Sequence, residues 1–111
     1  MAFQQILSAN GPLPLTVKFS SPVTGPVDFF VTSTAWTAKG AGAIGVIAVL
    51  DGKQLGRTTM MANNTSMHMT LPAMFATGQL SDIGGHVLEL VAETGLTVTD
   101  LNDYFTVNIR Y

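Results

Sequence analysis

The chain has no cysteine among its 111 residues. That excludes disulfides, thiolate nucleophiles and cysteine-ligated metals, and with them the small disulfide-framed extracellular scaffolds. Charge is scarce too. Asp, Glu, Lys and Arg make up 11% of the residues, against about 25% in an average soluble protein. The five basic residues, Lys18, Lys39, Lys53, Arg57 and Arg110, are scattered, and the net charge is −2. A phosphate backbone is held by clustered cations, so nucleic acid is not an expected partner. No apolar run reaches the roughly 20 residues that span a bilayer, so membrane insertion is not expected. Met1 to Pro14 has no basic region ahead of its short apolar patch, so no Sec signal is expected. The compartment stays open between the cell interior, a virion and non-classical secretion. Nucleophile elbows of the G-x-S-x-G type and phosphate-binding G-x-x-x-x-G-K-S/T loops are absent. Neither an enzyme nor a cofactor is expected.

What is present speaks for β-structure. Hydrophobic residues reach 47%, and Thr, Ser, Asn, Gln and Gly take the place of the missing charge. Such a surface loses little on desolvation against another surface. Self-association or membership of a larger assembly is therefore expected. The strongest local signal is the β-branched run Ile44 to Leu50, followed by Asp51-Gly52 and a second apolar stretch. Asp-Gly between two such runs is a hairpin signal, because a type I′ turn needs φ > 0 at both central residues.

Elsewhere Leu15, Val17 and Phe19 alternate with polar residues. Val27 to Thr37 carries Val27, Phe29 and Val31 on one face, with Phe30 and Trp36 on the other. His86 to Ala92 and Tyr104 to Tyr111 alternate again. Met67, Met69 and Leu71 form a further candidate strand, and the methionines around it are expected in the interior. Pro72 to Asp82 reads as a loop with at most one helical turn. Residues 1–14 read as an entry segment in which Phe3, Ile6 and Leu7 form a helical turn or pair loosely at an edge. The expectation is one all-β domain over residues 15–111, an immunoglobulin-like antiparallel sandwich of about seven strands.

From Ile44 onward the order of motifs resembles bacterial immunoglobulin-like domains of the adhesin and cell-surface type. The carriers are Ile47 to Lys53, running into the Asp51-Gly52-Lys53 hairpin, then Gly85-His86-Val87-Leu88-Glu89-Leu90-Val91-Ala92, then Thr94-Gly95, then Phe105 to Ile109. The resemblance implies a sandwich fold more than an activity.

Chemistry-bearing groups are sparse. His86, after Gly84-Gly85, suits a ring that caps the core edge and bonds a loop carbonyl. His68 sits among methionines on an outward position. Two histidines without nearby cysteines do not make a zinc site. Asp100, Asn102 and Asp103 gather oxygen ligands that would suit calcium, but they lack EF-hand spacing. The plainer account is a turn capped by its own Asp and Asn side chains. The carboxylates Asp28, Asp51, Asp82, Glu89 and Glu93 show no spacing that pairs them for glycoside hydrolysis.

Two functional expectations follow. The first is a non-enzymatic structural or protein-interaction module, a homo-oligomer or part of a larger protein assembly, that buries one outward apolar strip of Phe30, Trp36, Ile47 and Val49 against another copy. The alternative is a small carbohydrate-binding, lectin-like domain whose glycan stacks on Trp36 or Tyr104 beside neighbouring Asn and Asp groups.

Overall fold

The computed structural model describes residues 2–111. All its regular elements are strands: β1 (Phe3–Asn10), β2 (Leu15–Ser21), β3 (Gly25–Thr32), β4 (Thr34–Ala35), β5 (Gly42–Leu50), β6 (Lys53–Ala62), β7 (Met69–Thr70), β8 (Met74–Leu80), β9 (Gly84–Ala92) and β10 (Tyr104–Arg110). They form two antiparallel four-stranded sheets, β1-β10-β3-β8 (sheet A) and β2-β9-β5-β6 (sheet B), with β4 and β7 as a separate short pair. No helix among the described residues is long and apolar enough to cross a membrane.

The antiparallel sandwich is as expected, and the connectivity refines it. Leaving out the two-residue β4 and β7, the sheets run first-eighth-third-sixth and second-seventh-fourth-fifth in chain order. That is the jelly-roll arrangement, eight strands in two interlocked Greek keys, an order found in lectin and capsid domains among others.

The core lies between the sheets. Sheet A contributes Val27, Phe29, Val31, Phe105, Val107 and Ile109. Sheet B contributes Phe19, Ile44, Val46, Ala48, Leu88 and Leu90. Each strand alternates, so the intervening residues form two outer faces.

Several expectations change. Of the two readings of the first segment, edge pairing holds over the helical turn: Phe3–Asn10 is a full edge strand of sheet A, paired along β10. A register shift between Gln5 and Leu7 puts Ile6 and Leu7 both against the core while Phe3, Gln5, Ser8 and Asn10 face out. That bulge breaks the period-2 pattern in the sequence. Met74–Leu80 is also a strand, not a loop. It was concealed by its small residues: Gly78 sits where an added Cβ would lie 2.8 Å from Leu50 and 2.9 Å from Phe29.

The Val27 to Thr37 strand breaks at Ser33, and the expected Met67–Leu71 strand shrinks to Met69–Thr70. Met61 and Met67 are exposed and do not line the interior. The Asp51-Gly52 hairpin forms as read, with φ of 49° and 84°. Next to Gly56, Leu55 is the extra residue of a bulge opposite Ala48 and Val49.

Candidate functional site

The outer face of sheet A is built by registry. Across its four strands, Gln5, Asn108, Phe30 and Phe75 stand in one row, and Phe3, Arg110, Asp28 and Thr77 in the next. Phe3 is 65% and Phe75 71% exposed. Phe30 lies between them. Its ring centroid is 6.0 Å from that of Phe3 with planes 30° apart, and 4.8 Å from that of Phe75, edge to face. Arg110 lies over the Phe30 ring at 5.3 Å, a cation–π contact.

The same guanidinium donates to Asp28 Oδ2 through Nη2 at 2.6 Å and Nε at 3.2 Å, and Thr77 Oγ1 donates to Asp28 Oδ1 at 2.8 Å. Arg110, and Thr77 after it, hold the Asp28 carboxyl below the ordinary carboxylate range. Asp28, Phe30, Phe75, Thr77 and Arg110 line a shallow hollow of about 210 Å³. A wider hollow, about 460 Å³, opens between β1 and β2. Gln4, Gln5, Lys18 and Ser20 line it, and its one aromatic ring, Phe19, belongs to the buried core.

One end of the sandwich carries a second cluster. Asp103 is fully buried. Its Oδ1 accepts from Thr34 Oγ1 and from His68 Nδ1, both at 2.8 Å, and its Oδ2 accepts from the Asp100 amide at 2.9 Å. His68 Nε2 is 3.9 Å from Asp100 Oδ2, and the imidazole packs 5.5 Å from the Trp36 ring. The bond to Asp103 raises the His68 pKa above its ordinary value. The buried Trp36 Nε1 has no partner.

The ligand atoms of His68, Asp100 and Asp103 lie within 4.8 Å of one another, a spacing compatible with a cation. However, both oxygens of Asp103 are already satisfied within the protein. The expected calcium set also separates: Asp103 turns into the interior, while Asn102 is exposed and its backbone N–H donates to Asp100 Oδ1 at 2.8 Å. That contact is the capped turn of the plainer reading.

At the opposite end His86 is buried. Nδ1 is 2.7 Å from Asp51 Oδ2 and Nε2 is 2.8 Å from the Asp82 carbonyl. Both partners are acceptors, an arrangement that favours the doubly protonated ring. Asp51, ahead of burial, raises its pKa. Partial burial opposes ionisation of Asp51, but the Val87 amide and His86 outweigh it and hold the carboxyl below its ordinary value.

The expected strip of Phe30, Trp36, Ile47 and Val49 is not one surface. Phe30 is on the outer face of sheet A. Ile47 and Val49 point outward from β5, on the opposite side of the sandwich, and Trp36 is at the His68 end. Alternation places them all outward, but the topology assigns them to different sheets. Tyr104 is exposed at the start of β10, its hydroxyl against Ser8 Oγ. Sequence reasoning missed Phe3, Phe75, Asp28 and Arg110 as partners of Phe30.

No protein-family model and no curated protein matches the chain. Solved structures match its fold. Dimeric latent PorU from Porphyromonas gingivalis aligns with a TM-score of 0.59 at 12% identity, over 87% of this chain and 10% of that one. The C-terminal domain of EclA, described as a sugar-binding protein, aligns with a TM-score of 0.54 at 14% identity, over 86% of this chain and 65% of that one. This chain therefore spans only part of the length of each. At such identities the likeness is one of fold.

Proposed function

We propose that the protein is a non-catalytic carbohydrate-binding domain that holds a glycan on the outer face of sheet A. One observation carries this reading: Phe3, Phe30 and Phe75 form a continuous aromatic row, exposed at Phe3 and Phe75 and half-buried at Phe30, next to hydrogen-bonding groups held in fixed positions. A pyranose ring has an apolar C–H face and a polar hydroxyl rim. It needs an aromatic surface beneath it and oriented amides, hydroxyls or charges around it. Gln5, Asn108 and Thr77 supply neutral groups beside the rings.

An exposed apolar strip rimmed by polar residues on a charge-poor surface marks a contact site. The jelly-roll order and the fold likeness to a domain described as sugar-binding support trying glycans first. Asp28 is tied to Arg110 and Thr77, an arrangement that suits positioning and not proton transfer.

The test is a glycan array followed by affinity electrophoresis in polysaccharide gels. Phe75→Ala is expected to weaken binding about 10- to 100-fold, the loss of one exposed aromatic anchor. If no glycan binds the wild-type domain, and sedimentation instead shows a dimer that Phe75→Ala dissociates, the face is a self-association surface.

A further inference from the structure

Resting on the glycan reading, we infer that the Phe3–Phe30–Phe75 face takes the interior of an uncharged polysaccharide chain, and that Asp28 sets this preference by occupying Arg110. Three observations carry it.

The first is charge. Arg110 is the one cation on the strands of sheet A: Lys18 is on β2, Lys53 and Arg57 are on β6, and Lys39 lies between β4 and β5. Its guanidinium meets Asp28 through two nitrogens and lies over the Phe30 ring. An acidic sugar would have to take Arg110 from Asp28, and a cationic sugar would have to take Asp28 from Arg110 and Thr77. A neutral sugar takes neither. It uses the hydrogen-bonding capacity that remains at Gln5, Asn108 and Thr77.

The second is extent. The three rings come from β1, β3 and β8, so the row crosses all four strands of the sheet. Its successive ring centroids lie 6.0 and 4.8 Å apart, so the row is longer than a single pyranose ring.

The third is openness. The row ends on Phe3 and Phe75, the most exposed of its rings, and these stand on β1 and β8, the two edge strands of the sheet. Among the described residues sheet A has no further strand beyond either ring, so a chain lying across the strands can continue past both ends. A pocket for a chain terminus or a lone monosaccharide would instead be closed on one side.

The experiment compares the full chain and two variants by affinity electrophoresis and calorimetry. The panel is neutral polysaccharides (a mixed-linkage glucan, a xylan, a mannan), their oligosaccharides of graded length, and the acidic polygalacturonate. The wild type is expected to be retarded by at least one neutral polymer and not by polygalacturonate, and to bind a hexasaccharide at least about tenfold tighter than the monosaccharide.

Asp28→Asn frees the guanidinium and is expected to gain retardation by polygalacturonate that raised salt removes. Asp28→Asn combined with Arg110→Gln is expected to lose that gain. The inference is overturned if the wild type prefers the acidic polymer, if a monosaccharide binds as tightly as the hexasaccharide, or if folded Asp28→Asn gains nothing. Each of these leaves the glycan reading standing. If the wild type binds no carbohydrate in the panel or on the array, the glycan reading itself fails, and the inference with it.

Discussion

His86 and Asp103 show how much single polar groups hold in a core this poor in charge. Both His86 nitrogens face acceptors, Asp51 and the Asp82 carbonyl, so the folded state binds the ring's second proton more tightly than the unfolded chain does. A histidine pKa raised above its ordinary 6.5 contributes stability that is whole below that value and is lost as the pH climbs through the folded value. His68, bonded to Asp103, has the same sign. Asp28 and Asp51 have the opposite one. Their pKa values are lowered from 3.8, so their contribution is present above that value and lost as the pH falls through the folded ones. Maximum stability is therefore expected at mildly acidic pH, about 5–6. Thermal melts should fall between pH 6 and 9, and His86→Gln should flatten that slope. Asp103→Ala leaves Thr34, His68 and the Asp100 amide without their acceptor, and urea denaturation should register a loss of about 2–4 kcal/mol.

Strands respond to crowding more than to charge. Gly78 on β8 has no room for a methyl group between Leu50, Phe29 and Leu55. Gly78→Ala should cost about 1–3 kcal/mol in chemical denaturation, the range for overpacking. Gly52, at φ +84° in the β5–β6 turn with open space around it, should lose about 1 kcal/mol as Gly52→Ala, from backbone conformation alone.

The same contrast explains what the sequence disclosed. β2, β9 and β10 announce themselves because their alternation is uninterrupted, and β5 because its continuous β-branched run ends in Asp51-Gly52. β1 is masked by the bulge at Ile6, and β8 by alanine and glycine where β-branched residues would signal a strand. The candidate face was legible only at Phe30, an aromatic on an outward position. Phe3 and Phe75 fell in the two segments that did not read as strands, and Arg110 comes from the far end of the chain. Alternation says which residues point out, but not which sheet they point out from. For that reason Ile47 and Val49 were grouped with a phenylalanine on the other side of the molecule.

For the whole molecule, the order of the sheets dictates how the chain folds. Sheet A pairs the first strand with the last, and sheet B pairs the second with the ninth. Such distant pairings are slow to form, so refolding is expected in the millisecond-to-second range by stopped-flow fluorescence of Trp36. Deleting residues 1–10 removes β1, strips Phe3 from the aromatic row and bares the edge of β10. An unpaired edge of that kind aggregates, so the truncated chain is expected in the insoluble fraction while full-length Phe75→Ala stays soluble with an unchanged melting temperature.

The closing rung of that β1–β10 ladder joins Ala2 and Tyr111, amide to carbonyl in both directions at 2.7 and 3.0 Å. Entry and exit thus share one corner of the molecule. Phe3 and Arg110 are the neighbouring residues, so the corner borders the aromatic row. Fraying at this corner would therefore reach Phe3 and Arg110 before the rest of the aromatic face.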